Sequence, residues 1–307
     1  MSITANLLLT IVIVVCGASF QFYSFSVLNT LEPVVQMWIK QTFQARSGDE
    51  FSDQEMTLFW AFLVSIMCIG AFLGSLSTRP IAESFGRRNG LLVVGWSSVL
   101  GGVLQGSAPA AGSPELLLIG RLLCGFSLGL GTGVAPMPQI CVAFGDWFAL
   151  FLGLPEILGT SELWPIAVVF ASFPAFFLCL FLPFCPESPR YLFLTLNQRG
   201  KAEKSVKFFS GKIWEAEFKI LEKEAAYSPA GILTNRKILQ LFERKRLRVP
   251  LAISLLVMIS QQFVGTAAIF AYSTDMFLGA NLSLDAARYA TLGVGICYFV
   301  CVLPSPW

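Results

Sequence analysis

The sequence predicts an all-α membrane protein with about eight transmembrane helices, and three observations lead to this fold class. Hydrophobic residues make up 55% of the 307 residues, and charged residues make up only 13%. A soluble globular chain carries about 25% charged residues, so this chain has too few charges to cover a surface that faces water. Long apolar runs also recur along the sequence, each close to the ~20 residues that a helix needs to cross the bilayer core.

Eight of these apolar runs are predicted to be membrane spans. No Lys or Arg precedes the first run, and its apolar stretch is too long for the core of a signal peptide, so we interpret it as a first span. In the fourth run, Gly125 and Gly129 have the spacing that is typical of close contact between membrane helices. The eight runs cover residues 5–28, 56–78, 89–108, 115–137, 139–157, 164–185, 250–277 and 286–304.

The basic residues predict how the spans are oriented. Of the 21 Lys and Arg, 14 lie between Arg190 and Arg248. The short link 79–88 adds three more Arg, whereas the stretch 29–55 is mainly acidic. The positive-inside rule therefore places 79–88 and 186–249 in the cytoplasm and 29–55 outside.

Three segments follow from this topology. Residues 1–185 form an N-terminal six-helix membrane half, residues 186–249 a cytoplasmic helical linker, and residues 250–307 a partial C-terminal membrane half that contains spans 7 and 8. Within Lys201–Leu221, apolar residues recur at helical spacing, which predicts short amphipathic helices; a solvated linker is the alternative. Asn281-Leu-Ser283 is a glycosylation sequon in the predicted loop between spans 7 and 8.

Composition also excludes several kinds of chemistry. The chain contains no His, so imidazole zinc sites, His general bases and His-dependent triads are excluded. Its eight Cys are scattered without a CxxC motif, which indicates packing rather than a disulfide framework or a metal site. We therefore predict no enzyme, no metal and no cofactor, and the net charge of +2 gives no indication of nucleic-acid binding.

Charged and amide side chains inside the spans are the candidate functional residues, because a charge at membrane depth is costly. Arg121 lies in span 4 and Asp146 in span 5. The alternative for Arg121 is that its side chain reaches the outer interface. Gln139, Gln261 and Gln262 suit a neutral polyol, and hydrogen bonding between helices is the alternative for each of them.

Two local motifs identify a family. The link after span 2 contains Glu83 followed by Gly86-Arg87-Arg88, and it resembles the pattern between spans 2 and 3 of the major facilitator transporters. After span 6 the chain reads PESPRYL at 186–192, which is similar to the facilitative hexose transporters, the GLUT-type sugar porters. The Gln-Gln pair of span 7 and the GRLLCG segment of span 4 also resemble that family.

The resemblance implies facilitative (uniport) transport of a hexose, glucose or fructose, by alternating access of two helical halves and without a coupling ion. The implied partners are the hexose and the lipid bilayer, the implied location is the plasma membrane, and association into homo- or hetero-oligomers is left open. The residues implied to bind sugar are Gln139, Gln261 and Gln262. Those implied to form a cytoplasmic gating network are Glu83, Arg87, Arg88, Glu187 and Arg190.

The chain also departs from this family. The second half of the family has six spans, whereas only two are predicted here, so we expect an incomplete, apparently truncated major facilitator fold. Ala267 stands where many relatives have a sugar-binding Asn, and Ala271 replaces the first Tyr of a Tyr pair. The alternative function is therefore a non-transporting truncated or splice-variant membrane protein that associates with full-length relatives, and we expect the chain alone to show no saturable hexose uptake.

Labelling of introduced cysteines tests the predicted topology. Ser228→Cys lies in the segment predicted to be cytoplasmic, and Ser47→Cys in the stretch predicted to be outside. An impermeant thiol reagent applied to intact cells should therefore label the Ser47→Cys chain and spare the Ser228→Cys chain. The unsubstituted chain controls for its own cysteines, and labelling of Ser228→Cys alone would show that the orientation is inverted.

Overall fold

A computed structural model describes residues 4–48, 52–135, 138–227 and 245–304 of the chain. Within these ranges the regular structure is helical, without a β-strand. The chain divides into two compact units. The larger unit comprises Ala5–Glu187 and Phe270–Trp307, and the smaller comprises Met1–Thr4 and Ser188–Ile269.

Most helices of the larger unit are consecutive in sequence. A 3-10 turn at Phe20–Phe22 separates the first two, and another at Leu182–Phe184 follows the eighth. The helices are α1 (Ala5–Ser19), α2 (Tyr23–Ser47), α3 (Asp53–Ser84), α4 (Gly86–Ala111), α5 (Pro114–Val134), α6 (Gln139–Leu152), α7 (Trp164–Val169) and α8 (Ser172–Phe181).

The smaller unit contains the linker and the start of the predicted seventh span. A π-helical turn at Tyr191–Thr195 precedes its helices, and a 3-10 turn at Gly211–Ile213 separates the first two. Its helices are α9 (Arg199–Ser210), α10 (Trp214–Tyr227) and α11 (Lys245–Phe263). The following helix, α12 (Thr266–Gly279), runs from the smaller unit into the larger one, which also contains α13 (Leu284–Val302).

Six helical stretches of the described chain are long and apolar enough to cross a membrane, which confirms the membrane class. They correspond to six of the eight predicted spans. The other two predicted spans, 139–157 and 164–185, contain only the shorter apolar helices Gln139–Leu152 and Ser172–Phe184. The six long stretches are Ala5–Arg46, Asp53–Ser84, Gly86–Ala111, Pro114–Val134, Arg248–Gly279 and Leu284–Val302.

The first span is much longer than predicted. Helix α2 continues to Ser47, so the part of the stretch 29–55 that precedes Gly48 is helical rather than a loop. The cause is an apolar stripe at every fourth residue: Leu31, Val35 and Ile39 are fully buried. This stripe packs into the main core of the larger unit and keeps the helix together beyond its uniformly apolar part.

A proline explains why the predicted span 164–185 is not one continuous helix. Pro174 has no backbone N–H, so it cannot donate to the carbonyl of Phe170 four residues earlier. The Phe170 carbonyl instead accepts a hydrogen bond from the Phe173 N–H at 3.1 Å. The chain is therefore divided at Phe170 and Ala171 into α7 and α8.

Glycines bring α3 and α5 into backbone contact, which confirms the close packing predicted for Gly125 and Gly129. A β-carbon at Gly125 would overlap the carbonyl of Met67, and one at Gly129 would overlap the carbonyl of Ala71. Helix α3 contributes Gly70 and Gly74 with the same spacing, and a β-carbon at either position would overlap the backbone of α5. The contact is therefore reciprocal, with a pair of glycines on each helix.

The linker contains the short helices that the sequence predicts. Helices α9 and α10 pack on each other through a small apolar core, whose buried residues are Leu192, Ala202, Val206, Phe218 and Leu221. The sequon also lies where predicted, between α12 and α13. Asn281 is exposed and adopts a left-handed backbone with φ of 64°.

Substitution of matched glycines tests the α3–α5 contact. Gly129→Ala should lower the free energy of unfolding, because overpacking a tight contact costs about 1–3 kcal/mol. Gly293→Ala is the control, because nothing lies within 4 Å of a β-carbon at this position of α13. Alanine there should be neutral or stabilise the helix by about 0.5–1 kcal/mol. The apparent melting temperature in detergent measures both, and equal shifts would contradict the role of Gly129.

Candidate functional site

Buried polar residues are concentrated in the first span of the larger unit. Gln21, Ser26 and Thr30 are fully buried, and Asn29 is 1% exposed. Water is absent at membrane depth, so such groups must find partners inside the protein. The partners of these side chains therefore show which helices contact the first span.

Asn29 joins the first span to α12. Its Nδ2 donates to the carbonyl of Phe270 at 2.9 Å and to Oγ of Ser273 at 2.7 Å. Its Oδ1 accepts the backbone N–H of Thr274 at 3.1 Å. The hydroxyl of Thr274 lies 3.1 Å from that of Thr291, which extends the polar contact to α13.

Asp146 joins the first span to α6. Its Oδ1 accepts a hydrogen bond from Ser26 Oγ at 2.6 Å, and its side chain is enclosed, with 6% of the residue exposed. Aromatic rings surround this part of α6. Trp147 stacks on Phe299 of α13 with ring centroids 6.1 Å apart. An acidic group is thus held between the first span and an aromatic cluster.

Arg121 is enclosed on another side of the first span. Its Nη1 donates to the carbonyl of Ser24 at 2.6 Å, while Nε and Nη2 have no partner among the described residues. The residue is fully buried, so the interpretation that Arg121 reaches the outer interface is wrong. Its guanidinium points inward because the carbonyl of Ser24 offers an acceptor there.

The three glutamines predicted to bind sugar all have exposed side chains. Gln139 is the first residue of α6, directly after Pro138. Gln261 and Gln262 lie near the end of α11 in the smaller unit. Each amide is therefore available to a ligand within its own unit, and sugar binding by the three residues stays a prediction.

Glu187 of the predicted gating network contacts the N-terminus of α4. Its Oε1 accepts the backbone N–H of Arg88 at 2.9 Å, and the Arg88 guanidinium donates to the carbonyl of Cys185 at 3.1 Å. A carboxylate at this end of a helix binds an unpaired N–H and interacts favourably with the helix dipole. The Glu187 carboxylate therefore binds the first turn of α4 through its backbone.

Two other members of that network, Glu83 and Arg190, form ion pairs with residues that the network did not include. Arg79 forms an ion pair of 2.9 Å with Glu83 one turn later in α3, and Arg87 is exposed. In the smaller unit, Arg190 pairs with Glu224 of α10 at 3.2 Å. The sequence did not indicate Glu224 as a partner, and a single network of all five residues stays a prediction.

Sequence reasoning missed Asn29 and Ser26 as functional candidates. Each is one polar residue within an apolar run, and the identity of its partner depends on tertiary packing. The signal that could have found Ser26 is the charge of Asp146, because a carboxyl inside a span needs a donor from a neighbouring helix.

Removal of the Asn29 amide tests its contact with α12. Asn29→Ala deletes three hydrogen bonds, and at about 0.6 kcal/mol for each bond between membrane helices the loss should be about 2 kcal/mol. Ser65→Ala is the control, because within the described part of the chain this exposed hydroxyl bonds only to the carbonyl of Ala61 in its own helix. Unfolding by a denaturing detergent measures both, and a loss for Asn29→Ala no greater than that for the control would exclude the proposed stabilisation.

Comparison with known sequences identifies relatives along nearly the whole chain. Residues 9–307 match the family model described as "Sugar (and other) transporter". Over 315 residues the chain is 33% identical to the facilitated glucose transporter member 3 of Ovis aries, covering 96% of this chain and 62% of the relative. It is 34% identical over 335 residues to member 4 of Mus musculus, covering 99% of this chain and 63% of the relative. The chain thus spans less than two thirds of the length of these relatives.

Solved structures show the same fold. The proton:xylose symporter XylE bound to 6-bromo-6-deoxy-D-glucose superposes with a TM-score of 0.75 at 18% identity, covering 97% of this chain and 68% of that one. A partially occluded inward-open form of XylE from E. coli gives a TM-score of 0.68 at 17% identity, covering 96% of this chain and 71% of that one. The chain therefore belongs to the sugar transporter family, as an integral multi-pass membrane protein with part of the major facilitator fold.

Proposed function

We propose that this protein serves facilitative, uniport transport of a hexose across the plasma membrane by alternating access. The observation that carries the proposal is the family match over residues 9–307, with relatives named facilitated glucose transporters. Both glucose and fructose remain candidate substrates.

Exposed amides are the proposed sugar-binding groups. An amide both donates and accepts hydrogen bonds, which suits sugar hydroxyls without the desolvation cost of a charge. Gln139 is proposed for the larger unit and Gln261 with Gln262 for the smaller, on the resemblance to the family and on the exposure of all three side chains.

The inner-face residues are proposed to control the conformational equilibrium. Partly exposed ion pairs such as Arg79–Glu83 and Arg190–Glu224 are worth about 0–1 kcal/mol each. Energies of this size are too small to hold the fold but large enough to change the populations of two states. Glu187 binds the N-terminus of α4. A movement of this end of α4 would break that hydrogen bond.

Hexose binding and uptake in liposomes test the proposed function. The chain is reconstituted alone and together with the C-terminal spans of a facilitated glucose transporter as a separate polypeptide. We expect stereospecific binding of labelled hexose and, in the preparation with the added spans, saturable uptake above that of liposomes containing the added spans alone. Gln139→Ala should weaken binding about tenfold, as expected for the loss of one or two neutral hydrogen bonds.

Gln44→Ala is the matched control for that substitution, because Gln44 is an exposed amide near the end of α2. It should bind hexose as the unsubstituted chain does. Neither binding nor uptake of any hexose in either preparation would overturn the proposed function.

A further inference from the structure

Helix α13 carries an enclosed arginine that the proposed function does not use. Arg288 is 6% exposed. Among the described residues, no acidic side chain forms an ion pair with Arg288, and no acceptor takes a hydrogen bond from its guanidinium. A guanidinium stays charged in proteins, so it cannot avoid the cost of enclosure by losing its proton. A charge of this kind inside a membrane protein indicates a functional position.

Arg288 faces the protein rather than the lipid. It belongs to the buried face of α13, which continues with Thr291 and Gly295 at helical spacing. Asp285 and Tyr289 lie within one turn of Arg288 and are exposed. A side of the helix that faces outward was therefore available in the same turn, and the positive charge nevertheless occupies the inner side.

Two contacts determine the surroundings of Arg288. One turn further along α13, the hydroxyl of Thr291 lies 3.1 Å from that of Thr274 in α12. On the other side, the Tyr289 hydroxyl donates to Oε1 of Glu156 at 3.0 Å, in the segment that follows α6. Arg288 therefore lies where α13 meets both α12 and this segment. On the predicted topology span 7 leads out of the cytoplasm, so this end of α13 is on the outer side.

One part of the guanidinium is accessible. Nε of Arg288 is fully enclosed and has no partner among the described residues. Nη1 and Nη2 also lack a partner there, yet neither is among the fully enclosed atoms, so both retain accessible surface. Parallel N–H groups of a guanidinium bind the two oxygens of a carboxylate together. The accessible side of Arg288 thus presents donors that suit a carboxylate.

Three acidic residues belong to the segments around Arg288, but none neutralises it. Asp285 is exposed in the first turn of α13, where a carboxylate interacts favourably with the helix dipole. Glu156 accepts the hydroxyl of Tyr289, and Asp275 of α12 is exposed. Exposed charges are screened by salt, whereas an enclosed charge is screened much less. Near the start of a helix the dipole disfavours a cation and favours an anion, so the position of Arg288 suits a bound anion.

We propose that Arg288 binds the carboxylate of a sugar acid, so that this protein accepts hexuronates in addition to neutral hexoses. The inference rests on the proposed function and extends its range of substrates. A hexuronate is a hexose whose terminal carbon is oxidised to a carboxylate, which is ionised at neutral pH. A lipid headgroup suits the position less well, because the exposed side of α13 carries Tyr289, Ile296 and Val300 instead.

Binding of a hexuronate tests this position. Labelled glucuronate is offered to the liposomes described above, beside labelled glucose and labelled fructose. We expect the unsubstituted chain to bind glucuronate and a neutral hexose. Arg288→Gln should weaken glucuronate binding at least about tenfold, because hydrogen bonds to a charged group are lost. Its binding of the neutral hexose should stay unchanged, which also shows that the variant is folded.

Arg288→Lys provides a second variant, in case glutamine prevents folding. It keeps the charge without the planar fork of donors, so it should weaken glucuronate binding by a smaller factor than Arg288→Gln does. Asp285→Asn is the matched control, because it changes the exposed charge one turn earlier in the same helix. It should bind glucuronate at least as well as the unsubstituted chain.

The outcomes separate a contact with the solute from a structural role. If both Arg288 variants weaken glucuronate and the neutral hexose by one common factor, Arg288 only supports the packing of α13 and the proposal is overturned. Competition by inorganic phosphate equal to that by unlabelled glucuronate would show a general anion site and overturn the assignment to a sugar acid. Binding of a neutral hexose without glucuronate would overturn this inference and leave the proposed function intact. Binding of no hexose by the unsubstituted chain would overturn the proposed function, and this inference with it.

Discussion

Polar groups enclosed between membrane helices must find partners within the protein, because hydrocarbon offers none. The larger unit meets this constraint mainly along its first span, where Ser24, Ser26 and Asn29 contact α5, α6 and α12 in turn. Apolar packing gives little selectivity between membrane helices, since lipid tails are as apolar as the side chains. These directional bonds therefore determine which face of the first span meets each neighbour.

Glycine packing supplies the second constraint on the larger unit. Because α3 and α5 touch through backbone atoms at Gly70, Gly74, Gly125 and Gly129, their separation and rotation are fixed. Arg121 belongs to α5, so this contact also fixes where its guanidinium meets the first span. The polar contacts and the glycine contact thus depend on each other.

The sequence predicted those parts of the fold that depend on local composition. Uniform apolar runs located six long spans, and amphipathic spacing located α9 and α10. The sequence did not predict the features of the fold that depend on tertiary contacts or on one particular residue. The stripe of Leu31, Val35 and Ile39 extends the first span to Ser47, and Pro174 divides a run that composition alone joins. The 14 residues of α6 rise only about 21 Å, so α6 is shorter than the bilayer core of about 30 Å.

The candidate site was predictable in its residue types but not in its contacts. The family motifs indicated Glu187 as a charged inner-face residue, whereas its carboxylate binds the backbone at the start of α4. Asp146 was recognisable from its charge alone. Its partner Ser26 lies 120 residues earlier in sequence, a pairing that no local pattern contains.

Two enclosed ionisable side chains, Arg121 and Asp146, bind residues of the same turn of the first span. Arg121 binds the carbonyl of Ser24 and Asp146 binds the hydroxyl of Ser26, and residues two apart on a helix are separated by about 200° around its axis. A shift of the first span changes both hydrogen bonds at once, because both acceptor and donor belong to the same helical turn. A movement of the first span would therefore act on α5 and α6 together, and through Asn29 on α12 as well.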